Sequence, residues 1–261
     1  MPPKALVLRT AGTNCDRESE YAFGKAGAVA ERVHVNRLIA EPQLLDGYQI
    51  LCLPGGFSYG DDLGAGRVLA SQLVVHLRDR LAAFIGGGKL VIGICNGFQV
   101  LVKTGLLPGP VAEGESPMAQ TTTVTYNDSG KFEDRWVHLR VDTDHCVFLR
   151  KGELLYLPVA HGEGKVIPRD KAHREALERL GRVALRYVGP DGEDAPGYPG
   201  NPNGSLGDIA GMTDATGHVF GLMPHPERHL SGYQHPQWTR LGAKDEGDGL
   251  RVFTRAVEFF A

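Results

Sequence analysis

Lys89-Leu-Val-Ile-Gly-Ile-Cys-Asn-Gly-Phe-Gln-Val-Leu101 is the stretch from which the rest of the chain is read. Its first six residues are an almost unbroken apolar run, the pattern of a strand covered on both faces. After it the apolar positions take helical spacing, at Phe98, Val100, Leu101 and Leu106. Between the two, Gly93-Ile-Cys95-Asn-Gly97 has the G-x-nucleophile-x-G form of a strand-to-helix elbow, with cysteine as the nucleophile. The glycines have a steric reason: so sharp a turn crowds the main chain, and a Cβ beside it would clash. The turn lifts the sulfur above the sheet edge, at a helix N-terminus where aligned amide dipoles favour negative charge.

Working outward, short apolar runs alternate with helical stretches, which predicts an α/β fold with a mainly parallel central sheet flanked by helices. Strands are expected over 5–9, 49–53, 89–94, 137–141, 154–160, 183–188 and 218–223. Helices are expected over 16–27, 66–85, 96–106, 171–180 and 250–260. Asp16 suits the cap of the first helix, and Gly27, Gly105 and Gly181 suit helix stops. The stretches 191–205 and 231–249 read as irregular loops, yet strand- or helix-like segments resume directly after each. One domain over 1–261 is therefore expected.

The chain has 261 residues, 42% of them hydrophobic and 23% charged, enough for a sizeable core and incompatible with wholesale disorder. A net charge of −3 gives no basic footprint for nucleic acid or an anionic membrane surface. No apolar run approaches the ~18 residues of a membrane span. The segment from Met1 to Arg9 lacks the apolar core of a secretion signal. Four scattered cysteines without a C-x-x-C pair suit neither a disulfide scaffold nor a zinc knuckle. The expectation is a cytoplasmic protein.

An acylated thiol needs a base to relay protons and a third group to orient that base. Met223-Pro-His-Pro-Glu-Arg228 offers both, because His225 and Glu227 are two residues apart and share a side in extended chain. The flanking prolines forbid a regular helix there. Charge developing on the substrate oxygen needs donors. One is the backbone N–H of Asn96, next to the nucleophile; another can come from the glycine turn in Leu53-Pro-Gly-Gly-Phe-Ser-Tyr-Gly-Asp61. Of the other thiols, Cys52 reads as core and Cys146 has no base near it. Cys15, between a strand and a helix, lacks flanking glycines. His225, His229 and His235 match no zinc spacing, so no metal is expected. Neither a phosphate-binding loop nor a dinucleotide fingerprint is present.

Pro54-Gly-Gly, Gly93-Ile-Cys-Asn-Gly97 and His225-Pro-Glu227, in that order, resemble the class I, triad-type glutamine amidotransferase domain. Adding Thr13-Asn-Cys-Asp16, Phe57-Ser-Tyr-Gly-Asp61, Phe98-Gln99, His161-Gly-Glu-Gly164 and Asn201-Pro-Asn-Gly-Ser205 narrows the resemblance to the family of glutaminase subunits of phosphoribosylformylglycinamidine synthase. The motifs span essentially the whole chain. The resemblance implies a flavodoxin-like fold in which Cys95 attacks the side-chain amide of glutamine. His225 relays protons, Glu227 orients it, and Gly56 and Asn96 supply the oxyanion donors. It places Phe57, Ser58 and Gln99 in the glutamine pocket, with His161, Gly162 and Glu163 toward the substrate's amino-acid end. Ammonia would pass to a separate synthetase subunit, which holds ATP and Mg and works with a small accessory subunit in purine biosynthesis; this chain would need no cofactor. Asp62 stands where the family pattern expects an aromatic residue, and 230–249 is longer than a minimal domain needs. Two other readings remain open at this point. One is a cysteine hydrolase of similar architecture, such as a γ-glutamyl hydrolase; the other is a non-catalytic subunit that keeps the fold.

Overall fold

The computed structural model describes residues 1–116, 118–194 and 196–261. Its strands are Lys4–Arg9 (β1), Val29–His34 (β2), Ile50–Leu53 (β3), Leu90–Ile94 (β4), Thr122–Tyr126 (β5), Glu133–Val141 (β6), Leu154–His161 (β7), Glu163–Pro168 (β8), Val183–Val188 (β9), Ile209–Thr213 (β10) and Val219–Leu222 (β11). The α-helices are Asp16–Lys25 (α1), Val35–Ala40 (α2), Arg67–Gly86 (α3), Asn96–Thr104 (α4), Lys171–Arg179 (α5), Trp238–Leu241 (α6) and Leu250–Glu258 (α7). Nine strands make one sheet in the order β2-β1-β3-β4-β11-β10-β9-β6-β7, while β5 and β8 pair separately.

The first five strands of that order are parallel, and every pairing from β11 to β7 is antiparallel. The parallel half needs crossover helices, and its inner strands are buried on both faces: all residues of β3, β4 and β11 are inaccessible. The antiparallel half is joined without crossovers at β6–β7 and β10–β11. Its strands β6 and β7 alternate buried and partly exposed residues. α3 turns Leu69, Leu73, Leu77, Leu81 and Phe84 to the core as one stripe. α1 and α7 meet through Phe23 and Phe253, whose ring centroids lie 5.0 Å apart, edge to face. Asp170 caps α5 by accepting the His173 N–H at 2.7 Å, a contact worth about 1 kcal/mol. Among the described residues, no helix is long and apolar enough to cross a membrane.

All seven expected strands and all five expected helices form, with ends displaced by a few residues. The elements that composition hides are β2, α2, β5, β8, β10 and α6. β2 reads Val-Ala-Glu-Arg-Val-His, and as an edge strand it buries only Val33. β10 is buried throughout, but its Gly211 breaks the apolar pattern. Asp16 does not cap α1. Cys15 occupies the cap with no side-chain capping hydrogen bond, and the Asp16 carboxylate is engaged by Arg32 at 3.3 Å.

The sheet's far edge returns to its middle. β7 is four places from β11 in strand order, yet the His225 N–H, just past β11, donates to Pro158 O on β7 at 2.8 Å. The antiparallel half therefore curls over the carboxyl ends of the parallel strands. Register shifts between Ile209, Gly211 and Met212, where β10 meets β9, mark where such a bend is accommodated.

Candidate active site

Strands β1, β3, β4 and β11 run in one direction, so the chain leaves all four at the same edge of the sheet. Loops at that edge are where α/β sheets bind ligands. The segments that follow carry Cys15, the 54–61 turn, Cys95 and His225.

Cys95 has φ 50° and ψ −104°, a conformation that a non-glycine residue adopts only under constraint. The constraint comes from both neighbouring strands. Its N–H donates to Leu222 O of β11 at 2.8 Å, and its carbonyl accepts the Gln99 N–H at 3.1 Å. A Cβ on Gly97 would overlap the carbonyl oxygen of Leu53 on β3, and one on Gly93 would come within 2.6 Å of Gly97 O. The elbow thus packs main chain on main chain, as its two glycines predicted. The sulfur lies 3.8 Å from Ala160 O of β7.

His225 and Glu227 are both 2% exposed, and Nδ1 lies 2.6 Å from Glu227 Oε1. Burial alone would push the imidazole down. The Glu227 carboxylate, followed by the charge of Cys95, overrides it and holds the ring well above its ordinary pKa. Among the described residues, Nε2 of His225 is buried with no partner at hydrogen-bond geometry. This is a base oriented on one nitrogen and free on the other, beside a thiol.

A cavity of about 150 Å³ opens on Cys95, lined by Gly56, Phe57, Asp61, Gln99, Ala160, His161, Gly162 and Glu163, with Tyr126 and Phe132 at its walls. A wider depression of about 730 Å³ adjoins it and shares Asp61, Tyr126 and Glu163. Of the eleven residues singled out in the sequence, seven line the small cavity: Gly56, Phe57, Cys95, Gln99, His161, Gly162 and Glu163. His225 and Glu227 do not line the cavity, but His225 is close enough to Cys95 to feel its charge. Asn96 and Ser58 do not line it; they brace it. The Asn96 side chain accepts the Ser58 N–H at 3.2 Å and donates to Gln99 Oε1 at 3.0 Å. Gln99 in turn donates to Glu163 O at 2.5 Å. Gly56 has φ 144°, and a Cβ there would come within 2.9 Å of the 12–14 main chain. Only glycine lets this loop lie so close to the 12–14 main chain.

His161 is 2% exposed, with Nδ1 3.2 Å from Asn127 Oδ1. The Asn127 amide donates to the His161 carbonyl at 2.8 Å. Burial, reinforced by the charge on His225, lowers the His161 pKa to about 4.

Asp61, Tyr126, Phe132 and Ala160 escaped the sequence reading as pocket walls. Asp61 lies inside a quoted motif, so a signal existed; Tyr126 and Phe132 belong to no motif. Cys15 sits closer to the chemistry than its sequence context indicated. Its sulfur and ligand atoms of His225 and Glu227 all lie within 4.8 Å of one another. His229 and His235 lie apart from this group, beside the rings of Trp136 and Tyr156.

The model of the CobB/CobQ-like glutamine amidotransferase domain matches residues 2–260. A Dehalococcoides mccartyi protein named phosphoribosylformylglycinamidine synthase subunit PurQ is 51% identical over 257 residues, covering 98% of this chain and 97% of its own. A protein of the same name from Methanococcus maripaludis is 41% identical, covering 99% and 97%. Among solved structures, a chain of PurLQS from Thermotoga maritima superposes with a TM-score of 0.74 at 34% identity, each chain covered in full. Another Thermotoga maritima protein, a glutamine amidotransferase, shares the fold with a TM-score of 0.55 at 15% identity, covering 99% of this chain and 97% of its own.

Proposed function

The chain belongs to the CobB/CobQ-like glutamine amidotransferase family, and from that premise we propose that it is the glutaminase subunit of a phosphoribosylformylglycinamidine synthase. It hydrolyses glutamine to glutamate and ammonia, and the ammonia goes to an ATP-dependent synthetase subunit that makes formylglycinamidine ribonucleotide for purine synthesis. A small accessory subunit completes the assembly. We read the whole chain as one class I, flavodoxin-like glutaminase domain working in the cytoplasm. ATP and Mg²⁺ belong to the synthetase, and this chain requires neither.

One observation carries the chemistry: a cysteine on a strained elbow, facing a cavity, beside a buried histidine oriented by a carboxylate at 2.6 Å. In this reading the Cys95 sulfur attacks the carbonyl carbon (Cδ) of glutamine's side-chain amide, and the carbonyl oxygen takes the negative charge. The N–H groups of Gly56 and Asn96 receive it. His225 passes its proton to the departing amine, ammonia leaves, and a γ-glutamyl thioester remains. Water then adds with His225 as base, and glutamate departs as the thiol reforms. Glu227 stabilises the charged ring throughout and fixes which nitrogen faces the sulfur. Phe57, Ser58 and Gln99 shape the glutamine side-chain channel, while His161, Gly162 and Glu163 form its far wall, toward the amino-acid end.

Cys95→Ser is expected to abolish glutamine-dependent synthesis by the assembled complex and to spare synthesis from ammonia. Glutamate release from the wild-type chain, alone and then with its partners and their nucleotide substrates, shows how far docking switches the site on. Loss of both activities in an assembled Cys95→Ser complex would overturn this assignment.

A further inference from the structure

The mechanism leaves one buried thiol beside the triad unused. Cys15 is 1% exposed and pinned at its main chain: its N–H donates to Gly55 O at 3.2 Å, and its carbonyl accepts the Ser19 hydroxyl at 2.8 Å. Its sulfur donates to Asn14 Oδ1 at 3.1 Å and accepts from the Arg228 guanidinium at 3.2 Å. The Cys15 sulfur, a His225 ring nitrogen and a Glu227 carboxylate oxygen lie within 4.8 Å of one another. On these same residues, His225 Nε2 and Glu227 Oε2 are buried with no hydrogen-bond partner among the described residues. Thiolate, imidazole and carboxylate together are the donor set of a thiophilic borderline cation and ill suited to Mg²⁺ or Ca²⁺. Three ligands at tetrahedral bond lengths sit roughly 3.3–3.8 Å apart, so small side-chain movements close the set.

We propose that Cys15, His225 and Glu227 form an inhibitory site for a thiophilic divalent cation, Zn²⁺ foremost, with water as the fourth ligand. Two anionic ligands offset the ion's two charges. Burial pushes the Cys15 thiol up, so the free protein carries it protonated. Metal binding releases that proton, and the proton on the ligating His225 nitrogen, to solvent. The ion takes the base and its orienting carboxylate out of use together. Because all three side chains are buried, inhibition develops slowly after mixing. The effect on turnover rests on the triad reading above; the binding does not.

Binding is read with Co²⁺ as a spectroscopic stand-in, titrated into the purified chain and followed by thiolate-to-cobalt charge-transfer absorption. Wild type and Cys95→Ser should each bind one ion with that band. Cys15→Ser, which keeps a hydroxyl for Asn14 and Arg228, should lose the band and bind at least about 100-fold more weakly, beyond what losing an outer-shell partner costs. A band that survives in Cys15→Ser, or vanishes in Cys95→Ser, overturns the site, as does the absence of binding. In the complex, Zn²⁺ should stop glutamine-dependent synthesis, spare ammonia-dependent synthesis and be reversed by chelation. Cys15→Ser, compared with its own uninhibited rate, should resist. Binding without inhibition would keep the site and overturn its inhibitory role, and with it the assignment of His225 as base.

Discussion

Cys95 and His161 face the same cavity, but different forces keep them there. Cys95 is held by main chain: hydrogen bonds to Leu222 and Gln99, and glycines at 93 and 97 that let β4, α4 and β3 touch backbone to backbone. The main chain of His161, on the curled-over antiparallel half, pairs with β6, but its ring is held by a side chain: Asn127 bonds both the ring and the carbonyl. Nearby, Asn201, Asn203 and Ser205 form a similar net, with the Ser205 hydroxyl accepting the Val166 N–H at 3.0 Å. A position set by backbone contact has no intermediate setting. A position set by side-chain hydrogen bonds yields by degrees and responds to protons. The nucleophile belongs to the first kind and the pocket wall to the second.

Gly97→Ala tests the first kind most harshly. The new methyl overlaps the Leu53 carbonyl at the centre of the parallel half, and neither strand nor helix can retreat without breaking its ladder. The expected loss is comparable with the whole stability of an ordinary domain, about 5–15 kcal/mol, so the variant should fail to yield folded protein. A folded Gly97→Ala chain with wild-type melting temperature would break the comparison. Glu227→Gln comes next and should leave the fold intact. It removes the charge that offsets the cost of burying the protonated His225 ring, and glutamine-dependent kcat should fall about 10³-fold or more, the scale of losing a triad's carboxylate. Ammonia-dependent synthesis by the same complex should be unchanged.

The second kind shows itself through pH. The unfolded His161 ring takes up its proton near 6.5, and the folded ring does so only at about 4. Between those values the unfolded chain binds more protons, so stability contributed by the neutral buried ring is complete above pH 6.5 and drains away as the pH falls toward 4. The shift corresponds to about 3 kcal/mol. Urea unfolding at pH 7 and pH 4 should show wild type losing that much more than His161→Gln, which cannot titrate. Equal losses would mean that the ring's surroundings relax to accept its charge, and that the wall is softer than its hydrogen bonds indicate.

The same division explains what the sequence made legible. The parallel half was readable because burial on both faces leaves apolar runs, and the elbow because its sterics demand glycine at fixed spacing. His225 and Glu227 were readable because two residues of extended chain put them on one side. β2 and β10 were not, since an edge strand carries charges and a glycine interrupts a short buried one. Nor was the curl that brings Ala160 and His161 over Cys95. It depends on where β7 lands after three intervening strands, a long-range outcome with no local signature. Tyr126, on the separately paired β5, and Phe132, just before β6, belong to no motif either. Cys15 was underrated because its neighbour His225 lies 210 positions away in the chain.

Asn96 joins the two kinds, and its replacement should give the smallest of these effects. Its main-chain N–H, fixed by the elbow, survives in Asn96→Ala as an oxyanion donor. Its side chain, which accepts the Ser58 N–H and donates to Gln99, does not. The Ser58 N–H is then left buried and unpaired, at a cost of about 1–3 kcal/mol. The 56–58 loop can relieve that cost by moving, and the Gly56 donor moves with it. A misaligned donor costs less than a deleted one, for which about 10²–10³ in kcat is usual. A fall of about 30-fold in glutamine-dependent kcat, with KM changed by less than about threefold, is expected on that scale. A rise in KM at constant kcat would instead show that Asn96 acts through Gln99 on substrate binding. The loop carrying Gly56 would then be held by backbone alone, like the nucleophile it faces.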